Sequence, residues 1–218
     1  MKTAVYTVLF GDYDNFREPE YVDPDYDYYL FTDQNIESEN YEVIFIVHHL
    51  DRSKRDLILQ ARTWKIFNGY DYLCINNYDS IIYHDCNIIP TASLKDLVDN
   101  QVTDFMTIKH PGRDCIYQEY EVCCDVARDD VHIMNEQVQR YADDNYPINN
   151  GLIASGVIFR RNTEDVKTLC AGWLQEVEGG SIRDQLSFNY VATKLNFKFD
   201  LLPWGIIGTY FNYYKHKK

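Results

Sequence analysis

Short apolar runs that stop within a residue or two at aspartate fill the first half of the chain, and they restrict its fold more than any other feature. Thr3 to Phe10 runs into Gly11-Asp12, Tyr26 to Phe31 into Thr32-Asp33, and Ser80 to His84 into Asp85. Strand-length runs separated by polar loops and by one clear helical period are the pattern of an α/β sheet. Tyr41 to Val47 reads as a further strand. Asp51 is placed to cap a helix from about Ser53 to Phe67, where Leu57, Ala61 and Trp64 recur at helical spacing with Phe67 one step on, and Gly69 is expected to end it. Thr91 opens a short helix through Leu94, Leu97 and Val98, and Asp104 to Lys109 is another strand. Ile116 to about Arg140 is helical with a break near Asp129-Asp130. Gly151 to Arg160 reads as a buried strand whose small residues leave room for another backbone or a ligand. Helices over about Glu164 to Val177 and Ile182 to Lys194, a strand from Phe197 to Leu201 and an aromatic tail follow.

A length of 218 residues, with no repeat and no Pro/Ser-rich linker, favours one domain, and 45% hydrophobic residues are enough for a substantial core. Thirty-four acidic against 21 basic side chains leave a net charge of −13, which repels nucleic acid and anionic membrane surfaces. Of the acids 23 are Asp, a residue that favours turns, caps and compact oxygen sites over helix interiors. The apolar start is cut off at Gly11 before a signal peptide can form, and no run approaches the ~20 apolar residues of a membrane span. The six cysteines show no CxxC pair and read as free thiols. A cytoplasmic protein is expected, with no membrane insertion and no nucleic-acid partner.

Neither GxGxxG after the first strand nor GxxxxGK[ST] is present, so phosphate binding would need another device. A divalent cation on oxygen ligands is the common substitute, because it bridges a carboxylate and a diphosphate. Asp12-Tyr13-Asp14, the run Asp23 to Asp27, and Asp85-Cys86-Asn87 compete for that cation. Ligands of open α/β sheets sit beyond the carboxyl ends of strands, which disfavours Asp23 to Asp27 because that run precedes its strand. Asp85 and Asn87 follow a strand two residues apart, so both oxygens can face one side. Asp12 and Asp14 also follow a strand, and each of these two pairs also reads as a turn of solvated acids.

The residues Val5 to Asp14, Phe31-Thr32-Asp33, Arg62-Thr63-Trp64-Lys65 and Tyr83-His84-Asp85-Cys86-Asn87, with His110-Pro111-Gly112-Arg113, Tyr117-Gln118-Glu119 and Arg183-Asp184-Gln185, resemble the GT-A glycosyltransferases. More narrowly, the chain is similar to the family of plant mucilage hexosyltransferases and glycan-building glycosyltransferase domains of chlorella viruses. The resemblance implies one GT-A domain over 1–218: an α/β fold whose mixed, mostly parallel central sheet is flanked by helices. The basic ending Lys215-His216-Lys217-Lys218 reads as a chain that continues. If the chain is viral, the cytoplasm in question is the host's.

The resemblance further implies a UDP-sugar donor, a glycan acceptor and Mn²⁺ or Mg²⁺ on Asp85 and Asn87, with Asn87 a neutral ligand where the D-x-D signature has its second acid. Thr7, Phe10, Gly11, Tyr13 and Asp33 would line the uracil and ribose. Arg62 and Lys65, three apart on one helix face, would lie near the diphosphate. His110, Arg113, Asp184 and Gln185 would act on the sugar, with retention of anomeric configuration. His216, which the preceding aromatic run would pin back onto the body, is the candidate further ligand. Each has a plainer reading: a solvent-facing tyrosine for Tyr13, a solvated helix face for Arg62 and Lys65, a packed histidine for His110, a helix-start acid for Asp184 and a loose tail for His216. A non-catalytic nucleotide-sugar or glycan-binding module, and more weakly a metal phosphohydrolase, are the competing functions.

Overall fold

The computed structural model of the chain describes residues 1–47 and 53–217. Among them seven strands form one twisted sheet: β1 (Thr3–Leu9), β2 (Tyr26–Thr32), β3 (Glu42–Phe45), β4 (Ser80–His84), β6 (Phe105–Lys109), β7 (Ile153–Arg161) and β8 (Asp200–Leu202). Their spatial order is β3-β2-β1-β4-β7-β6-β8. Only β7 runs against its neighbours; β1, β2, β3 and β4 pair in parallel, as do β6 and β8. The sheet is thus the mixed, mostly parallel one that the resemblance implies. One consequence fixes the site: the carboxyl ends of all six parallel strands and the amino end of β7 share one edge.

β1 is buried along its whole length, as a central parallel strand covered on both faces should be. Tyr6, Val8 and Phe31 pack with Ile66, Tyr70, Leu73, Leu169 and Trp173 on one face. That face carries α1 (Lys54–Thr63), α2 (Gly69–Ile75), α6 (Glu164–Glu178) and α7 (Phe188–Lys194). Val5, Leu9 and Ile82 pack on the other face with Leu94, Val98, Ile88 and Phe211. These last come from α3 (Lys95–Asp99) and from a two-stranded ribbon of β5 (Ile88–Pro90) with β9 (Phe211–Tyr213). The remaining helices, α4 (Ile116–Asp125) and α5 (Val131–Asp143), break where expected, with Asp130 capping α5 through the N–H groups of His132 and Ile133.

Four expectations are corrected. Ser53, not Asp51, is the observed cap of α1, in a capping box with Asp56; Asp51 lies outside the described residues. Gly69 does not end the helix, which passes through a π-helical turn at Trp64–Asn68 and continues as α2. A Cβ at Gly69 would lie 2.6 Å from the Tyr6 ring and 2.8 Å from the Trp64 carbonyl, so the glycine is required by close approach. The stretch from Ile182 is not one helix but a 3₁₀ turn at Asp184–Leu186 followed by α7. Finally the last sheet strand is Asp200–Leu202, because its register is set by Met106 to Ile108 of β6 rather than by its own apolar run. Among the described residues no helix is long and apolar enough to cross a membrane.

Candidate active site

Lys65 and Asp184 form the centre of an ion-pair cluster at the shared strand edge. The Lys65 ammonium lies 2.8 Å from Asp184 Oδ2, 3.3 Å from Asp85 Oδ1 and 3.0 Å from Ser155 Oγ, and its side chain is 1% exposed. Arg62 reaches the same Asp184 oxygen at 3.5 Å. Asp184 also accepts from Ser155 Oγ at 2.8 Å. Burial alone would raise the Asp184 carboxyl, but Arg62, then Lys65 and Arg183, outweigh it and hold the group well below the usual carboxylate range. Asp184 is therefore an anion already committed to two cations.

Asp85 directly follows β4. Its Oδ1 accepts from the Tyr83 hydroxyl at 2.6 Å as well as from Lys65, and its backbone N–H donates to Gly156 at 2.8 Å. A Cβ on Gly156 would come within 3.3 Å of Asp85 Oδ2, so glycine keeps that oxygen clear. The preceding His84 is wholly buried; its Nδ1 bonds the Asp85 carbonyl at 3.1 Å and its Nε2 the Tyr41 hydroxyl at 3.0 Å. Burial pushes the His84 imidazole down to about 4, so it stays neutral and fixes the start of the loop.

Asn87 donates from Nδ2 to the Tyr214 carbonyl at 2.9 Å, while the Tyr214 N–H donates to the Asn87 carbonyl at 2.8 Å. This exchange extends the β5–β9 ribbon and lays the tail beside the Asp85 loop. His216 Nε2 then lies 3.4 Å from Asn87 Nδ2, and His216 Nδ1 lies 2.5 Å from Asp14 Oδ2. The Tyr13 ring packs against the imidazole with centroids 5.0 Å apart. Asp14 is buried and also accepts from Cys86 Sγ at 3.6 Å, whereas its neighbour Asp12 is exposed and pairs with Lys217. The two acids that spacing made equivalent are unlike in the fold.

A second cluster lies where β6 ends. Arg113 grips buried Glu119 through Nε at 2.7 Å and Nη2 at 2.6 Å, with Nη2 also 3.1 Å from His110 Nε2. His110 Nδ1 accepts from the N–H of Arg113 at 2.9 Å. Burial, then Arg113, keep this imidazole below its ordinary value. Arg183 lies 3.6 Å from the other Glu119 oxygen and donates to Gln185 Oε1 at 2.9 Å, and Gln185 Nε2 donates to the Ile153 carbonyl at 2.9 Å. Gln185 and Asp184 thus belong to neighbouring networks joined by one turn of chain.

The remaining sequence candidates sit on the β1 side. Asp33 Oδ1 accepts the Gly11 N–H at 2.9 Å, which ties the two strand-end loops together, and Gly11 adopts φ +60° against Leu57. Phe10 is buried near Trp64, with centroids 6.4 Å apart. Thr7 lies inside β1 rather than at its end, buried, with a hydroxyl that lacks a hydrogen-bond partner among the described residues. Asp23, by contrast, accepts from Ser93 Oγ and the Leu94 N–H, a structural duty that agrees with its exclusion on position.

Among the described residues no three His, Cys, Asp or Glu side chains come together as a metal cage. The seated tail brings Asn87 and His216 together beside the Asp85 loop, with the Asn87 Nδ2 and not its amide oxygen towards the imidazole; carboxylate, amide oxygen and imidazole are ligand types that suit Mn²⁺. Asp14 bonded to Nδ1 orients His216 as carboxylates orient metal-binding histidines elsewhere. Sequence reasoning named the Asp12-Tyr13-Asp14 pair without separating its members. It did not find Ser155 or the buried Arg160, whose only signal is a charge directly after the apolar run Val157-Ile158-Phe159.

Residues 84–205 match the family described as TOD1/MUCI70, glycosyltransferase-like domain. That span holds Asp85, Asn87, His110, Arg113, Asp184 and Gln185, and leaves Arg62, Lys65 and His216 outside it. No curated protein matches the chain. A solved structure of a bifunctional glycosyltransferase, WbbM, in its apo form is similar with a TM-score of 0.47 at 12% identity, over 92% of this chain and 38% of that one. With more than half of its residues in the matched span, the chain belongs to the TOD1/MUCI70 family of glycosyltransferase-like domains.

Proposed function

We propose that this domain is a metal-dependent glycosyltransferase that moves a hexose or deoxyhexose from a UDP-sugar to a glycan hydroxyl. The observation that carries the reading is the ion-pair cluster at the carboxyl edge of the sheet, where Arg62 pairs with Asp184 and Lys65 with both Asp184 and Asp85, so that a partly exposed cation lies beside a carboxylate able to share a metal ion. Asp85, Asn87 and His216 would hold Mn²⁺ or Mg²⁺, which when bound neutralises charge on the departing diphosphate. Arg62 faces the same leaving group from the helix side, and the buried Lys65 holds Asp85 and Asp184 behind it. Asp184 keeps both cations in place. On the retaining reading the hydroxyl attacks the anomeric carbon from the side of the departing diphosphate, whose bond to that carbon breaks, and the acceptor proton passes to a phosphate oxygen of the leaving group. His110, Arg113 and Gln185 contact the sugar, and the loop of Gly11 and Tyr13 with Asp33 receives the nucleoside.

Calorimetry with a panel of nucleotide sugars, with and without MnCl₂, followed by an assay of transfer and donor hydrolysis, tests the reading. Mn²⁺-dependent binding of a UDP-sugar with turnover supports it. Binding without turnover would favour the non-catalytic module, and cleavage of simple phosphate esters the phosphohydrolase.

A further inference from the structure

Arg160 is fully buried near the carboxyl end of β7, and among the described residues it has no carboxylate partner. Its guanidinium instead donates from Nη1 to the Ile66 carbonyl at 2.8 Å and from Nη2 to the Lys65 carbonyl at 3.3 Å and to the Tyr6 hydroxyl. The rings of Tyr70 and Tyr6 lie against it, with centroids 4.5 Å and 5.6 Å away. The Tyr6 hydroxyl in turn donates to the Lys65 carbonyl at 2.6 Å. A buried cation without a counter-ion is costly, and an apolar residue of similar volume would serve the core at least as well. Its contacts therefore point to a specific duty.

The carbonyls it holds belong to the π-helical turn Trp64–Asn68. There the Gly69 N–H donates to the Trp64 carbonyl five residues back, not four, so the turn holds an extra residue and the carbonyls within it need other donors. Tyr6 and Arg160 supply them. Gly69, lacking a Cβ, lets the Tyr6 ring reach that position. On the opposite side of the same residue, the Lys65 ammonium meets Asp85, Asp184 and Ser155. A π-turn rotates the side chains beyond it relative to a regular helix, so the insertion sets where Lys65 points.

From this geometry we infer that Tyr6 and Arg160 are positioning residues: reaching up from the sheet, they hold the π-turn open and thereby aim the Lys65 ammonium at Asp85 and Asp184, the anions behind the diphosphate site. The inference rests on the diphosphate site proposed above. Neither residue touches the ligand. Their effect passes through the Lys65 backbone.

Tyr6→Phe removes one hydroxyl and keeps the ring, so it is the main test, with Arg160→Lys as the variant that keeps charge but not the two-carbonyl grip. Arg160→Met is the harsher change and serves only if it folds. Affinity for UDP and for uridine is measured by calorimetry in MnCl₂, beside Lys65→Ala as reference, and exchange of the Gly69 amide is followed in each protein. Tyr6→Phe should weaken UDP about five- to tenfold, the worth of one hydrogen bond, leave uridine unchanged and speed Gly69 exchange. Equal loss of UDP and uridine affinity would mark general loosening and overturn the inference, as would unchanged UDP affinity with unchanged Gly69 exchange. If wild-type protein fails to bind UDP, or Lys65→Ala binds it normally, the donor reading is at fault. The positioning claim is then decided by Gly69 exchange and by the Lys65 side-chain position in a crystal structure of Tyr6→Phe, an unmoved Lys65 overturning it.

Discussion

The two halves of the candidate site are built in opposite ways. The inner half, Arg62, Lys65, Asp85 and Asp184, is anchored on β4, β7 and the helical turn over the sheet, and its central lysine and aspartate are 1% and 2% exposed. The outer half, Asp14 and His216, depends on a tail that reaches the body through a three-residue strand and one exchange of bonds with Asn87. The inner half exists wherever the fold exists. The outer half exists only while the tail is seated, so it can respond to ligand while the inner half cannot.

Removing the counter-ion of the inner half should have the largest effect. Asp184→Ala leaves Lys65 and Arg62 facing each other without their shared anion, and loss of one partner from a buried pair costs about 3–5 kcal/mol. Urea unfolding would show a loss of this size, whereas a midpoint close to wild type would mean that the cluster is open to water. Asp184→Asn separates charge from shape. Since the folded carboxyl is held below its unfolded value, its contribution is present above about pH 4 and lost as the pH falls further. The gap in stability between wild type and Asp184→Asn should therefore narrow on acidification, and a gap that stays constant would contradict the ion-pair account.

Next in size is Asp85→Ala, which should weaken Mn²⁺-supported UDP binding roughly 100-fold or more, because even the partners of a metal ligand are worth 10–100-fold. The outer half should give less. His216→Ala and Asp14→Asn should each weaken Mn²⁺ about tenfold with little change in unfolding midpoint, and carboxypeptidase should remove the tail more slowly when UDP and Mn²⁺ are present. A tail equally labile in both conditions would break the contrast. The smallest change is expected from Asn87→Asp, which should keep or modestly strengthen metal binding by adding a charge; a clear loss would show that the amide bond to Tyr214 matters more than the ligand oxygen.

The same contrast explains what could be read before the fold was known. β1, β2, β4 and β7 were legible because each is an apolar run with its own boundary, and Asp85 because it follows such a run directly. Asp184 was legible as a residue but not in its bonding, since the cations Lys65 and Arg62 lie 119 and 122 positions earlier and meet it only after the sheet closes. β5 and β9 were not legible. Three residues carry too little pattern, and each is a strand only because the other lies beside it. Gly69 misled for a physical reason: local sequence marks glycine as a helix end, and only the Tyr6 ring beneath explains its place inside one. Asp12 and Asp14 are alike in sequence and separated in space by which of them the tail covers.

The most direct test of the account is a calorimetric titration of UDP into the wild-type domain, once in MnCl₂ and once in EDTA, repeated with Asp85→Ala and Lys65→Ala. The account predicts binding in Mn²⁺ that is lost or much weakened in EDTA, loss of that metal dependence in Asp85→Ala, and reduced affinity with the metal dependence retained in Lys65→Ala. Equal UDP affinity with and without the metal, unchanged by either substitution, would contradict it.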